Sequence, residues 1–453
     1  MRQTRKIAYI LALAVLLAAC GTSRKARRNY DPDATHAALD KGMSEKKVVP
    51  VKEFVGKDLG PKQPTITDRI DSLVLTVDTL LQSTQLGLHI VDLHTGTVLY
   101  ARNEQQRMRP ASTEKVVTAI AALDRLGPSY LLSTRLLATA NVSGGTLHGD
   151  LYVQGVMDPL LSTADVQALV AKLKSTGIRR IAGRLLADAS FKDTDEFGWG
   201  WCWDDENPTL SPLLVGGKPG LMTTLRNALS RAGITVTKGT ATGTAPASAR
   251  CLAALQRPLT AVLQPMMKES DNLCAEAVFY QLRPTPYPSR NGGERLAQGK
   301  HYSRNLAAKA VGDVIERAYS LQSLPSLTGG GGGGSSVIAD GSGLSLYNYQ
   351  TPETFTRLLT YAAARPDSIF NPLLTALPIA AVDGTLKKRM AGTPAAGNVR
   401  AKTGSVTAVS TLVGYTTQRS TGHLIAFAIM NQGVQRMADG RSLQDKICIL
   451  LSE

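Results

Sequence analysis

Apolar positions along the chain change their period several times, and each change marks an expected element. Ile7 to Leu17 is almost wholly apolar behind Arg2, Arg5 and Lys6. That run is too short to span a bilayer permanently and has the layout of an export signal, residues 1–19. From residue 20 to about 65 no apolar period exists, and Arg24, Lys25, Arg27 and Arg28 cluster among prolines, which predicts a flexible tether. Ile66, Ile70, Leu73, Val77, Leu80 and Leu81 then recur at three- and four-residue steps, the spacing of an amphipathic helix. Leu88 to Leu93 and Thr97 to Ala101 flank Thr95-Gly96 as a hairpin, with His89 and His94 reading as ordinary surface or sheet residues. Near the other end, Val399 to Val406, Ser410 to Thr416 and His423 to Met430 are apolar, β-branched runs, and Leu443, Ile447 and Leu450 suggest a closing helix.

These outer elements predict an antiparallel sheet with helices packed on it. The middle alternates differently. Gly149 to Val156 and Ile181 to Ala187 read as strands, and Thr163 to Ser175 and Leu221 to Ala232 as helices. The expected fold class is therefore α/β (α+β), with one domain from residues 66–140 and 255–453 and a smaller α/β domain inserted at 141–254. Gly329 to Gly334 is six glycines in a row with no Gly-Lys-Ser/Thr after it, so it predicts a linker and no phosphate cradle.

Composition narrows the setting. At 453 residues, 43% hydrophobic and 19% charged, the chain is long enough for two or three folded domains. The net charge of +15 favours anionic surroundings. No Arg/Lys block is interleaved with aromatics, so nucleic acid is not the expected partner; wall polymer or lipid headgroups suit an exported chain better. Leu17-Ala18-Ala19-Cys20-Gly21 closes the first apolar run and resembles a bacterial lipobox, which implies lipid on Cys20 and a tether to a membrane, the outer one of a periplasm being expected. Cys202, Cys251, Cys274 and Cys448 lack metal-ligand spacing. Either a Cys202–Cys251 disulfide or four free thiols is open, and neither metal nor organic cofactor is expected.

Three triplets follow in order: Ser112-Thr113-Glu114-Lys115, Ser270-Asp271-Asn272 and Lys402-Thr403-Gly404. Each alone is common; S-x-x-K by itself is usually a helix cap with a surface lysine. Together and in this order they resemble the signature of class A β-lactamases and penicillin-binding proteins. Ser112 opens the apolar helix Val116 to Leu126, and a residue three positions on shares its face, so Lys115 can reach the Ser112 hydroxyl. A serine needs a base, and a lysine is one only if burial and a neighbouring cation lower its pKa; Lys402 is the expected cation. Ser270 can pass a proton to a leaving amine, and Asn272 can hold both Lys115 and substrate backbone. Lys402 and Thr403, on an expected edge strand, suit a terminal carboxylate, and Gly404 lets substrate approach. Backbone N–H groups of Ser112 and Ser405 would form an oxyanion hole.

The likeness extends beyond the triplets. Arg109-Pro110-Ala111-Ser112, Lys268 to Ala277, Asp340-Gly341-Ser342-Gly343-Leu344-Ser345, Val382-Asp383-Gly384-Thr385-Leu386 and Val399 to Ser405 resemble the D-alanyl-D-alanine carboxypeptidase/endopeptidase family, the class C low-molecular-mass penicillin-binding proteins. The stretch between Ser112 and Ser270 is far longer than a plain transpeptidase-like domain needs, and this family carries inserts there. After Leu210-Ser211-Pro212-Leu213 the chain runs almost at once into the helix at Leu221, so the family's further small β-rich domain is expected to be missing or reduced. The resemblance implies a β-lactamase/transpeptidase-like fold and acyl transfer from wall stem peptides through Ser112, with β-lactams as covalent inhibitors. It also implies that Asp158, in Gly155-Val156-Met157-Asp158-Pro159-Leu160-Leu161, faces the cleft and binds a stem-peptide side-chain amine. A β-lactamase is the nearest rival, but no Glu-x-x-Leu-Asn-like segment lies between Ser270 and Lys402, only isolated acids such as Glu294 and Glu316. A silent wall-peptide-binding lipoprotein is a second rival, disfavoured by the presence of every motif residue.

Overall fold

The computed structural model describes residues 64–76, 84–283, 302–321 and 336–453. The export signal, Cys20, nearly all of the tether, Val77, Leu80, Leu81 and the glycine run lie outside the described residues. Among those described, no helix is long and apolar enough to cross a membrane.

The outer elements form one five-stranded antiparallel sheet. Its order is Arg400–Val406 at the edge, then Val409–Thr417, Leu424–Gln432, Gln85–Asp92 and Val98–Arg102. Alternation explains how both faces are buried. On Leu424–Gln432, the residues Ile425, Phe427 and Ile429 join a cluster with Leu86, Leu88 and Ile90. The same cluster takes Ile70 and Val74 from the first helix, Ile66–Leu75, and Leu443, Ile447 and Leu451 from the last, Met437–Leu451. Ala426, Ala428 and Met430 point the other way, into a second cluster with the helix Glu114–Leu126. The sheet is therefore a middle layer between terminal helices and a mostly helical body, and each fully buried Leu, Ile or Phe contributes about 1.5–3 kcal/mol.

The inserted module has its own five-stranded sheet, ordered Thr240–Thr242, Leu185–Asp188, Leu151–Gln154, Leu131–Ala138 and Arg250–Pro258. Leu185–Asp188 pairs in parallel with strands on both sides, and the remaining pairs are antiparallel. Helices Thr163–Ser175 and Leu221–Arg231 cover it, with Val166, Leu169, Leu225 and Leu229 in one core. The first of these helices starts where a capping box forms: Ser162 Oγ accepts from Asp165 N at 3.1 Å, and the Asp165 carboxylate accepts from Ser162 N at 2.9 Å.

Leu131–Ala138 and Arg250–Pro258 pair along their length, so the module's sheet takes in strands on both sides of residues 141–254. Between Leu213 and Leu221 the chain makes only a short hairpin, Leu214–Val215 with Lys218–Pro219. The four described cysteines are free thiols, Cys202 and Cys251 included.

Candidate active site

Ser112 sits in a 3-10 turn, Ala111–Thr113, that runs straight into the helix Glu114–Leu126. The turn is anchored through the carbonyl of Pro110, which accepts from Thr113 Oγ1 at 2.6 Å and from Thr411 Oγ1 at 2.8 Å. Ala111 adopts a φ of +48°, a left-handed conformation that an L residue takes only when its surroundings impose it. The edge strand presses against this turn at Gly404. A Cβ there would lie 2.1 Å from Thr411 Oγ1 and 2.6 Å from Pro110 O, so only glycine fits.

Lys115 lies one turn beyond Ser112 on the same helix face, fully buried. Its Nζ donates to Ser112 Oγ at 3.0 Å, Asn272 Oδ1 at 2.7 Å and the carbonyl of Ser342 at 2.8 Å. Asn272 opens the helix Asn272–Gln281, which Asp271 caps by accepting from Cys274 N at 2.7 Å. Just before it Ser270 has a φ of +62°, between two helices, and its Oγ accepts from Lys402 Nζ at 2.9 Å. Lys402, also fully buried, donates in addition to the carbonyl of Thr403 at 2.8 Å. Thr403 Oγ1 donates to Thr385 Oγ1 at 2.9 Å, and Ser405 follows on the same edge strand, exposed and paired with Ser410. The three triplets thus meet in space, with Ser112, Lys115, Ser270, Asn272, Lys402 and Thr403 around one centre.

Burial lowers the pKa of Lys115 to about 8, against opposition from the Asp340, Glu276 and Asp271 carboxylates. Lys402 is held well below the usual lysine range by burial and then by the charge of Lys115. The sequence points to Lys402 as the cation acting on Lys115; in the structure burial is the largest cause of the shift on both lysines.

Asp158 is held in an ion pair within the inserted module. The residue is 3% exposed. Its carboxylate pairs with Arg257 Nε at 3.2 Å and caps Leu160 N at 3.0 Å, while Arg257 also binds Asp165 at 2.9 Å. The charge is therefore already partnered by Arg257.

Several residues around the centre carry no signal in their type alone. Glu276 is buried and accepts from the N–H groups of Gly341 and Ser342 at 3.1 and 2.9 Å. Asp340 accepts from Gly343 N, Ser345 N, Asn348 Nδ2 and Trp201 Nε1. Glu114, fully buried and pushed well above the usual carboxylate range by burial, accepts from Gln350 Nε2 at 3.1 Å with each of its two oxygens. Lys268 joins Leu377 O and Asp383 Oδ2 at 2.6 and 2.7 Å, tying the segment before Ser270 to the one carrying Thr385.

The sequence model of the D-Ala-D-Ala carboxypeptidase 3 (S13) family matches residues 67–213, 219–289 and 330–453. A carboxypeptidase of Mycobacterium tuberculosis is 30% identical over 399 residues, covering 81% of this chain and 80% of its own length. A D-alanyl-D-alanine carboxypeptidase of Haemophilus influenzae is 26% identical over 437 residues, covering 77% of this chain and 85% of its own. The crystal structure of penicillin binding protein 4 from Haemophilus influenzae superposes with a TM-score of 0.69 at 22% identity, over 84% of this chain and 99% of that one. That last likeness is one of fold.

Proposed function

The chain belongs to the D-Ala-D-Ala carboxypeptidase 3 (S13) family of serine hydrolases, and on that premise we propose that Ser112 is its nucleophile, acting on peptidoglycan stem peptides through an acyl-enzyme. The observation that carries the reading is the Lys115 amine, bound at once to Ser112 Oγ, Asn272 Oδ1 and Ser342 O. A neutral amine has two N–H groups and one lone pair. With Asn272 and Ser342 taking the N–H groups, the lone pair is directed at the Ser112 hydroxyl.

The proton of Ser112 then passes to Lys115 Nζ as Oγ bonds to the D-alanyl carbonyl carbon. Backbone N–H groups of Ser112 and Ser405 receive the developing oxyanion. Collapse breaks the C–N bond, and Lys115 gives back the proton it took, which reaches the departing nitrogen through Ser270, whose hydroxyl is held by Lys402. Lys402 and Thr403 receive the terminal carboxylate, and water later cleaves the ester. A released D-alanine makes the enzyme a carboxypeptidase, and a released side-chain amine makes it an endopeptidase. Mass analysis of purified peptidoglycan after digestion distinguishes the two; no change in the wall fragments would refute both.

The same reading makes residues 1–19 an export signal and Cys20 the site of lipid, with the enzyme working in the periplasm from a membrane anchor. Cys20→Ser is then expected in the soluble fraction after cell lysis, and a mature N-terminus other than Cys20 would overturn the anchor. The module around residues 131–258 would frame the cleft from outside the main sheet.

A further inference from the structure

Lys115 depends on a carbonyl whose own position must be held. Ser342 O is one of its three acceptors, yet it belongs to an irregular segment between residue 336 and the helix at Pro352, not to a helix or strand of the sheet. Two helices each send a side chain to it at Gly341 and Ser342. Thr118 Oγ1, one turn beyond Lys115 on the nucleophile helix, donates to Gly341 O at 2.8 Å. From the opposite side, a single oxygen of Glu276, Oε1, accepts both the Gly341 and the Ser342 N–H. Glu276 stands one helical turn after Asn272, so one helix supplies both a direct acceptor for Lys115 and the clamp for the other.

We propose that Glu276 is a positioning residue for acyl transfer: by holding the Gly341 and Ser342 N–H groups it fixes the Ser342 carbonyl against Lys115 Nζ and so aims the lysine lone pair at Ser112. Glu276 touches neither substrate nor Ser112. Without its oxygen two buried N–H groups lose their acceptor, a loss large enough to make the segment rearrange. Lys115 Nζ would then turn toward another acceptor, with its lone pair off the Ser112 axis, and misaimed proton transfer slows acylation without weakening the first encounter with ligand. Burial, and then Asp340, push the Glu276 carboxyl up to about 8. Glutamine matches it in size and keeps the accepting oxygen.

The inference rests on the serine-acylation reading, and one experiment separates their failures. Full-length wild type, Glu276→Ala and Glu276→Gln are mixed with benzylpenicillin at pH 7, and the limiting acylation rate and the dissociation constant of the initial complex are measured. Glu276→Ala is expected to lose about tenfold or more in the limiting rate with the dissociation constant within about twofold, whereas Glu276→Gln stays within about threefold of wild type. If Glu276→Ala does not fold, Glu276→Asp, which withdraws the same acceptor by one methylene, must show the same loss of rate. Wild-type rates in Glu276→Ala or Glu276→Asp overturn the inference alone, as does a Glu276→Gln variant as slow as the alanine one. Absence of acylation in the wild type would instead overturn the reading of Ser112.

Discussion

Replacing Gly343 by alanine strikes the nucleophile turn from behind. An added Cβ would stand 1.9 Å from the carbonyl oxygen of Ala111, 2.4 Å from its carbon and 3.1 Å from the nitrogen of Ser112. Carbon and carbonyl oxygen in contact sit about 3.3–3.6 Å apart, so the two backbones must part by on the order of 1 Å. All three are backbone atoms, and none is a side-chain end that can swing away. The φ of +82° adds about 1–2 kcal/mol for any L residue. A displacement near 1 Å at a reacting group costs about a hundredfold in rate, or about 2.7 kcal/mol of barrier. Gly343→Ala should therefore acylate with penicillin about a hundredfold more slowly, while its Tm falls by only a few degrees, about 2–4 °C per kcal/mol or less in a protein of this size. The control is Gly392→Ala. Its φ of +69° carries the same kind of backbone strain, but an added Cβ meets nothing within 4 Å, so acylation should stay at the wild-type rate. Stopped-flow labelling with a fluorescent penicillin, alongside thermal melts, reads both. A wild-type rate in Gly343→Ala, or equal losses in the two variants, would refute the claim that close packing behind Ala111 positions Ser112.

Two more expectations follow from the charges. Lys115 must be neutral to take the serine proton, and burial brings its pKa down to about 8, so acylation should rise with pH through about 8 and then level off. A rate that is flat from about pH 6 to 9, or still climbing at about pH 10 where ordinary lysines titrate, would contradict this. Asp158→Asn breaks the pair with Arg257, whose partial exposure softens the loss to about 1–3 kcal/mol. The melt should show that drop; a further loss confined to amine-bearing peptides is expected if Asp158 also binds the stem-peptide amine, and penicillin and amine-bearing peptides slowed by similar factors would refute that role.

Where local pattern and local chemistry agree, the sequence was readable almost to the residue. The helix Thr163–Ser175 has its cap, its apolar face and its stop all within a few positions, and the last three strands carry β-branched runs bounded by polar turns. Leu131–Ala138 escaped because its apolar residues do not alternate; both faces are covered, and its partner Arg250–Pro258 is remote in the chain. The helices Tyr302–Tyr319 and Pro352–Ala363 are likewise unmarked by the pattern read above. At the centre, the triplets announced Ser112, Lys115, Ser270, Asn272 and Lys402, because those residue types at those spacings carry a chemical logic. Glu114, Glu276 and Asp340 did not stand out. A carboxylate in a helix or loop reads as solvent-facing until the backbone N–H groups and the Gln350 amide that satisfy it are brought in from elsewhere. Asp158 is a similar case: Arg257, distant in sequence, supplies a partner that no local pattern announces.

The central claim is that Ser112 bonds covalently to the acyl group. Intact full-length protein is incubated with benzylpenicillin, digested, and its peptides weighed. The account predicts a gain of one penicillin on the peptide containing Ser112, formed by wild type and absent from both Ser112→Ala and Lys115→Ala. An adduct that persists in Ser112→Ala, or one carried by any other residue, would contradict it.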